Sequence, residues 1–242
     1  INDGTSLYTY DSAMRLISVT GNGSTTTYQY NGDGDRIAQT VNGTLTTYVI
    51  DTATPLTMVL AEATGGQTIR YWHGLDVIAQ SDGVNIETFG YDGLGSVRQL
   101  SDATTVQLAQ TFDPYGNGFS KSGTITSTLG FTGEQTDQNG FVFLRARYYN
   151  PASGRFLNTD PSRMERNPYQ YAMGNPILHT DPNGKFIIVV IVGGIIIGAI
   201  TAGTYDVMVN QAKGGSENVF DGTVFDPSHY CDVNWLQTGL YT

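Results

Sequence analysis

The chain has 242 residues and a net charge of −10, and its 14% charged against 11% aromatic residues mark a folded protein, since disordered chains are charge-rich and aromatic-poor. Thirty glycines and eight prolines imply many turns and argue against long helices. The acid excess excludes a general nucleic-acid binder, which needs a basic face for phosphates, and the single cysteine, Cys231, excludes a disulfide scaffold and a Cys-rich metal site.

The chain enters patterned sequence at once, with Ile1 first and no signal peptide after it, and so reads as a processed product or a piece of a longer polypeptide. Aromatic–acid pairs then recur: Tyr10-Asp11, Tyr30-Asn31, Tyr91-Asp92 and Phe112-Asp113, with Ile50-Asp51 and Tyr71-Trp72 as weaker members. The spacings between anchors are 20, 20, 21, 20 and 21 residues. Between them lie β-branched and aromatic runs such as Thr25 to Tyr30, and the turn dipeptides Asn22-Gly23 and Asn42-Gly43, whose residues tolerate positive φ. One repeat therefore fits two strands of about five to seven residues and two turns. A hairpin alone cannot bury its apolar face, so neighbours must stack into a long antiparallel sheet that curls on itself. The acid beside each aromatic is positioned to accept backbone N–H groups of the next turn, a structural role. Asn22 and Asn42 also head glycosylation sequons in predicted turns.

Three of these units, Tyr10-Asp11 with Arg15, Tyr30-Asn31 with Gly32 and Arg36, and Tyr91-Asp92 with Gly93 and Arg98, resemble the YD repeats of the Rhs family. Such repeats also occur in teneurins and in insecticidal toxin complexes. The resemblance implies an all-β spiral of hairpins that winds into a hollow shell.

From Gly130 the character changes. Gly130-Phe131-Thr132-Gly133 is followed by Arg147-Tyr148-Tyr149-Asn150-Pro151, Gly154-Arg155-Phe156, Asp160-Pro161, Asn175-Pro176 and Asp181-Pro182-Asn183-Gly184. In order and spacing this resembles the Rhs repeat-associated core, which implies a cap on one end of the shell and a boundary with a variable C-terminal region. The resulting division is 1–122 for the hairpins, 123–184 for the core and 185–242 for the tail. Pro151, Pro161, Pro168, Pro176 and Pro182 forbid a long helix, so the core is loop-rich. Arg145, Arg147, Arg155, Arg163 and Arg166 either bind an anionic ligand or, as the plainer expectation, pair with carboxylates such as Asp160 or Glu165 and stack on Tyr148 and Tyr149.

Asp160 and Asp181 each precede proline and lie 21 residues apart. The resemblance implies an aspartyl self-cleavage site just after the final Asp-Pro-x-Gly, with these two as catalytic residues and Arg155 as an orienting group. The chemistry needs two carboxylates near enough to share a proton. This chain departs from the pattern at Lys185, where the family has Leu, and at Ser162-Arg163. The bland alternative is that both aspartates cap turns. His73, His179 and His229 have no partners at a diagnostic spacing, a metal at Asp226, His229, Cys231 and Asp232 is the weaker reading, and no cofactor is expected.

Residues 186–200 read FIIVVIVGGIIIGAI, and no charge occurs from Phe186 to Tyr205. Twenty uncharged residues with Gly194 and Gly198 four apart suit a transmembrane helix. The Ile and Val content suits buried strands equally well, either plugging the shell or inserting into a neighbouring copy. Three functions stay open: a structural secreted or cell-surface β-shell module that assembles through this segment, a toxin-carrier shell with self-cleavage, and a membrane-anchored surface protein. The implied partners are the chain's own C-terminal segment, copies of itself and missing N-terminal repeats of a parent chain, in an extracellular, bacterial setting.

Overall fold

A computed structural model describes residues 4–162 and 167–185, with the backbone of 187–189 and 199–200. The chain divides into two compact units, Ile1–Ala199 and Ile200–Thr242, and the description below concerns the first.

Twelve strands form one sheet in strict chain order. They are β1 (Ser6–Tyr10), β2 (Leu16–Gly21), β3 (Ser24–Tyr30), β4 (Arg36–Val41), β5 (Thr44–Asp51), β6 (Met58–Thr64), β7 (Gln67–His73), β8 (Val77–Ser81), β9 (Ile86–Tyr91), β10 (Val97–Ser101), β11 (Val106–Phe112) and β12 (Gly118–Gly123). Every neighbouring pair is antiparallel. Asn22-Gly23 and Asn42-Gly43 take positive φ at both positions, 50° and 73°, then 48° and 87°. They close two-residue hairpin loops of the kind whose twist matches the strands.

The register slips near the end of each odd-numbered strand, at Thr9/Tyr10, Gln29/Tyr30, Val49/Ile50, Trp72/His73 and Thr111/Phe112, and on β10 opposite Tyr91. A bulge bends its strand and raises the local twist. At least one bulge per repeat therefore curls the sheet progressively, which is the physical origin of the expected spiral. In two of the repeats the anchor's hydroxyl holds the bend: Tyr30 donates to the Leu16 carbonyl at 2.6 Å and Tyr91 to that of Val77 at 2.6 Å.

The fourth anchor is misassigned by spacing alone. Tyr71 occupies the fifth position of its strand and is buried, as Tyr28 and Tyr48 are. The residue equivalent to Tyr30 is His73, whose Nε2 lies 2.9 Å from the Val59 carbonyl, again fourteen residues back. The loop between β5 and β6 is longer than its counterparts, so the sequence period slides by two residues there.

The core contributes a second antiparallel sheet of β13 (Gln135–Thr136), β14 (Val142–Leu144), β15 (Arg147–Asn150) and β16 (Arg155–Phe156). A further pair joins β17 (His179–Thr180) to β18 (Ile187–Val189). Short 3-10 turns at Phe131–Gly133 and Ala172–Gly174 connect them. Phe131, Val142, Leu144, Tyr149, Phe156 and Tyr171 form the core's own apolar centre, where Tyr149 and Tyr171 stack at 4.1 Å. A second cluster joins the two regions: Tyr8, Leu16, Val19 and Tyr28 of the sheet pack on Phe141, Phe143 and Tyr148. Among the described residues no helix is long and apolar enough to cross a membrane.

Candidate functional site

Two polar constellations stand out, one on the seam between sheet and core and one inside the core. The seam is built on Arg36, the first residue of β4. Its side chain is 1% exposed. Nη1 donates to both Asp137 oxygens at 2.8 and 2.9 Å and to the Tyr148 hydroxyl at 3.0 Å, and Nη2 donates to Gln135 Oε1 at 2.8 Å. The guanidinium lies over Phe143 at 4.3 Å and Tyr48 at 4.9 Å. Two more carboxylates flank it. Glu134 accepts twice from Arg145 at 2.8 Å, and Arg145 Nε donates to the Thr57 carbonyl. Glu62 accepts from the Tyr71 hydroxyl at 2.9 Å and from Thr128. Burial pushes the carboxyls of Asp137, Glu134 and Glu62 up, against the pull of Arg36, Arg145 and the Tyr71 hydroxyl respectively.

Inside the core, Arg147 opens β15 and is 1% exposed, with its guanidinium over the Phe156 ring at 3.5 Å. Nη2 donates to Asp181 Oδ2 at 3.2 Å, Nη1 to the Pro168 carbonyl at 3.1 Å, and Nε to the Gly184 carbonyl. The Pro168 carbonyl also accepts the Asp160 N–H at 2.9 Å. Asp181 Oδ1 accepts the Lys185 N–H at 3.1 Å. Asp160 Oδ2 accepts from Ser162 Oγ at 2.5 Å, and that hydroxyl is 3.5 Å from the Lys185 carbonyl. Gly184 has φ +67°, and a Cβ there would stand 2.5 Å from the Leu144 carbonyl, so only glycine lets the chain lie this close to β14.

Asp160 and Asp181, 2% and 1% exposed, thus both lie near one short segment, residues 184–185, Asp181 directly and Asp160 through Ser162. The Gly184–Lys185 peptide has its carbonyl on a guanidinium and its N–H on a carboxylate. Both aspartates cap turns, through the N–H groups of Ser162 and Lys185.

The arginine that meets this segment is Arg147 and not Arg155, where Arg155 was expected. Arg155 lies exposed on β16 opposite Asn150 and makes no described bond to either aspartate. Arg147 also pairs with Asp181, where Asp160 or Glu165 was the expected partner, and stacks on Phe156 in place of Tyr148 or Tyr149. Its position within the apolar run from Phe141 to Tyr149 was the one signal of a buried arginine. Asn22 and Asn42 are exposed at hairpin tips, and the Asn42 side-chain oxygen accepts from Ser24 Oγ and the Thr25 N–H. Arg163, Glu165, Arg166 and the 226–232 cluster lie outside the described residues, as does the apolar run 186–205 apart from the backbone of β18 and of a two-residue strand, Ala199–Ile200.

No family model matches the chain. Salivary gland surface protein 1 of Aedes aegypti is 33% identical over 129 residues, half of this chain and 4% of that protein. Toxin protein Tse5 of Pseudomonas aeruginosa is 39% identical over 66 residues, 26% of this chain and 5% of that protein. The chain therefore spans only a small fraction of these curated relatives. Among solved structures, the Tc-toxin shell of the TcdB2-TccC3-Cdc42 complex superposes with a TM-score of 0.60 over 75% of this chain and 10% of the other, at 17% identity. At that identity the likeness concerns the fold.

Proposed function

We propose that the chain is a closing segment of a toxin-carrier shell: hairpins 1–122 as wall, core 123–184 as the cap, and 185–242 as the tail the cap holds. One observation carries the reading. The sheet curls, yet among the described residues β1 pairs only with β2 and β12 only with β11, so it is an open wall segment whose inner aromatic face is covered by the core. A free sheet edge calls for another strand, which further repeats of a longer chain would supply at β1. The toxin relatives favour the carrier over a self-assembling or membrane-anchored module, and they support a reading in which it works outside the cell that makes it. Electron micrographs of the longer protein that carries the further repeats test it. Hollow closed particles are expected, and filaments or membrane patches would reject the carrier in favour of one of those alternatives.

The arrangement around residues 184–185 supports a second reading, that this cap cuts its own chain there. Arg147 holds the carbonyl, Asp181 faces the amide, and Asp160 holds the Ser162 hydroxyl, which lies 3.5 Å from the next carbonyl. On a denaturing gel the purified chain then gives a fragment ending near Gly184 or Lys185, and Asp181→Asn abolishes it. A single intact band from the unmutated protein removes the protease reading and leaves the carrier reading standing.

A further inference from the structure

Of the described arginines in the core, Arg145 and Arg147 are paired with Glu134 and Asp181, whereas Arg155 is exposed and has no described ion pair or side-chain hydrogen bond. It lines an open cleft of about 400 Å³ together with Tyr115, Asn167 and Gln170, a volume within the range of ligand sites. Three segments far apart in the chain build this cleft and are tied to one another. The Tyr149 hydroxyl donates to the Tyr115 carbonyl at 2.7 Å, and Asn117 Nδ2 donates to that of Pro151 at 3.1 Å. Arg155 and Gln170 are partners in an antiparallel bridge, and the Phe156 N–H donates to the Tyr169 carbonyl at 2.9 Å. The walls therefore stand in place beforehand, and ordering them costs a ligand little.

The open groups on the wall define the chemistry. Arg155 offers a charged fork that matches an oxyanion. Gln170 makes no described side-chain bond, and Asn167 uses only its oxygen, for the Tyr169 N–H at 3.2 Å. A side-chain amide both donates and accepts, as a hydroxyl does. Tyr115 adds an exposed ring with an apolar face. Asp113 lines the cleft too, but its oxygens already accept the Tyr115 and Asn117 N–H groups and the Asn117 side chain. A cation would meet an unpaired arginine and a spent carboxylate. A bare anion would use Arg155 and leave the amides and the ring idle. An acidic peptide carries its carboxylate on a flexible stem and must lose that freedom on binding. An acidic sugar holds carboxylate, hydroxyls and a C–H face on one rigid ring, and so meets every open group at once.

We propose that this cleft binds a carboxylate-bearing sugar, with the carboxylate on Arg155, hydroxyls on Gln170 and Asn167, and the ring face on Tyr115. The site rests on neither the carrier nor the self-cleavage reading.

The test titrates the full chain near pH 7 with the methyl glycoside of glucuronic acid, followed by nitrogen-15 NMR. Saturable binding is expected with Kd of about 1 mM or tighter, and the Arg155 Nε–H and Gln170 side-chain amide signals move with it. Methyl glucoside, which lacks the charge, and acetate, which lacks the ring, each bind at least about tenfold more weakly. Arg155→Met removes a charge-assisted contact and weakens binding at least about tenfold. Gln170→Leu weakens it about fivefold. Val49→Ala, exposed on the sheet, leaves it unchanged. Arg155 is exposed, so its replacement leaves the core packed, and an unaltered backbone spectrum verifies this. Absence of saturable binding, equal affinity in Arg155→Met, or binding that leaves both side-chain signals in place would each overturn the site. Acetate binding as tightly as the glycoside would reduce the cleft to an anion contact, and a tri-glutamate peptide binding more tightly would make it a peptide site; either result overturns the assignment to a sugar.

Discussion

The sheet and the core satisfy their polar groups over very different distances along the chain. In the sheet, Asp11, Asn31, Asp92 and Asp113 each accept two N–H groups from residues two and four positions ahead. The same local device recurs hairpin after hairpin. In the core the decisive bonds are remote: Arg36 reaches 101 residues to Asp137, Arg145 reaches 88 to Thr57, and Arg147 reaches 34 to Asp181. Nearest-neighbour architecture localises damage, whereas a network of remote charges fails together. The two regions should therefore respond differently to the loss of one residue.

The largest difference is expected at the seam. Arg36→Met leaves the Asp137 carboxylate buried without its partner and should cost about 3–5 kcal/mol in urea unfolding. The double change Arg36→Met with Asp137→Leu should recover a large part of that loss, because it removes the stranded charge along with the pair. A single variant within about 1 kcal/mol of the unmutated protein would mean that the remote network is not what binds core to sheet.

Acidification separates the regions by sign. Burial raises the Glu62 carboxyl above its unfolded value despite the Tyr71 and Thr128 bonds. The folded state then holds more protons than the unfolded one across that interval. Stability from this group is fully present below the unfolded value of about 4.3 and is lost as pH rises through the folded one. At Asp11 burial pushes up, but the Arg15 and Ala13 N–H bonds and the Arg15 guanidinium outweigh it and hold the carboxyl low. Its contribution is present above about 3.9 and fades as pH falls through the folded value. The urea midpoint should thus climb on acidification from neutral pH and turn down only below about 4. Glu62→Gln should flatten the climb and leave the downturn. An unchanged climb in that variant would remove Glu62 from the account.

A turn acid should matter less. Asp113→Ala removes acceptors for the Tyr115 and Asn117 N–H groups and the Asn117 side chain. About 1 kcal/mol is expected, with amide exchange accelerated at Tyr115 and Asn117 and little altered in the neighbouring hairpins. Acceleration spread across all twelve strands would show that the sheet, too, behaves as one unit.

How far each region can be read from sequence follows from the same contrast. The sheet was legible because its signals are local: Asn-Gly at positive φ, alternating strands and an acid after each aromatic. Its one misreading, Tyr71 for His73, came from trusting a mean period across the β5–β6 loop, where extra residues shift the phase while chemistry keeps the bond. The core's order was legible as a motif, and it singled out Asp160 and Asp181, which the fold brings near residues 184–185. Its pairings were not, because nothing near Arg36 announces Asp137, and Arg147 and Arg155 differ only in which one the fold buries.

The reassignment of His73 offers the finest test of the repeat. If His73 is the equivalent of Tyr30 and Tyr91, then replacing any of the three by Phe removes one ring-to-carbonyl bond: to Val59, Leu16 or Val77. Each change keeps an aromatic ring and loses one hydrogen bond, so each should cost about 0.5–1.5 kcal/mol. Combining two of them should be nearly additive, since sites in separate hairpins share no partner. Tyr71→Phe breaks a different bond, to the buried Glu62 carboxylate. Hydrogen bonds to charged groups contribute about twice as much, so it should depart from the trio. His73→Tyr should then be tolerated better than His73→Phe, because a hydroxyl can reach the carbonyl that the histidine nitrogen serves. If His73→Phe is silent while Tyr30→Phe and Tyr91→Phe are not, the fourth repeat has no anchor, and its bend is held by the bulge geometry alone.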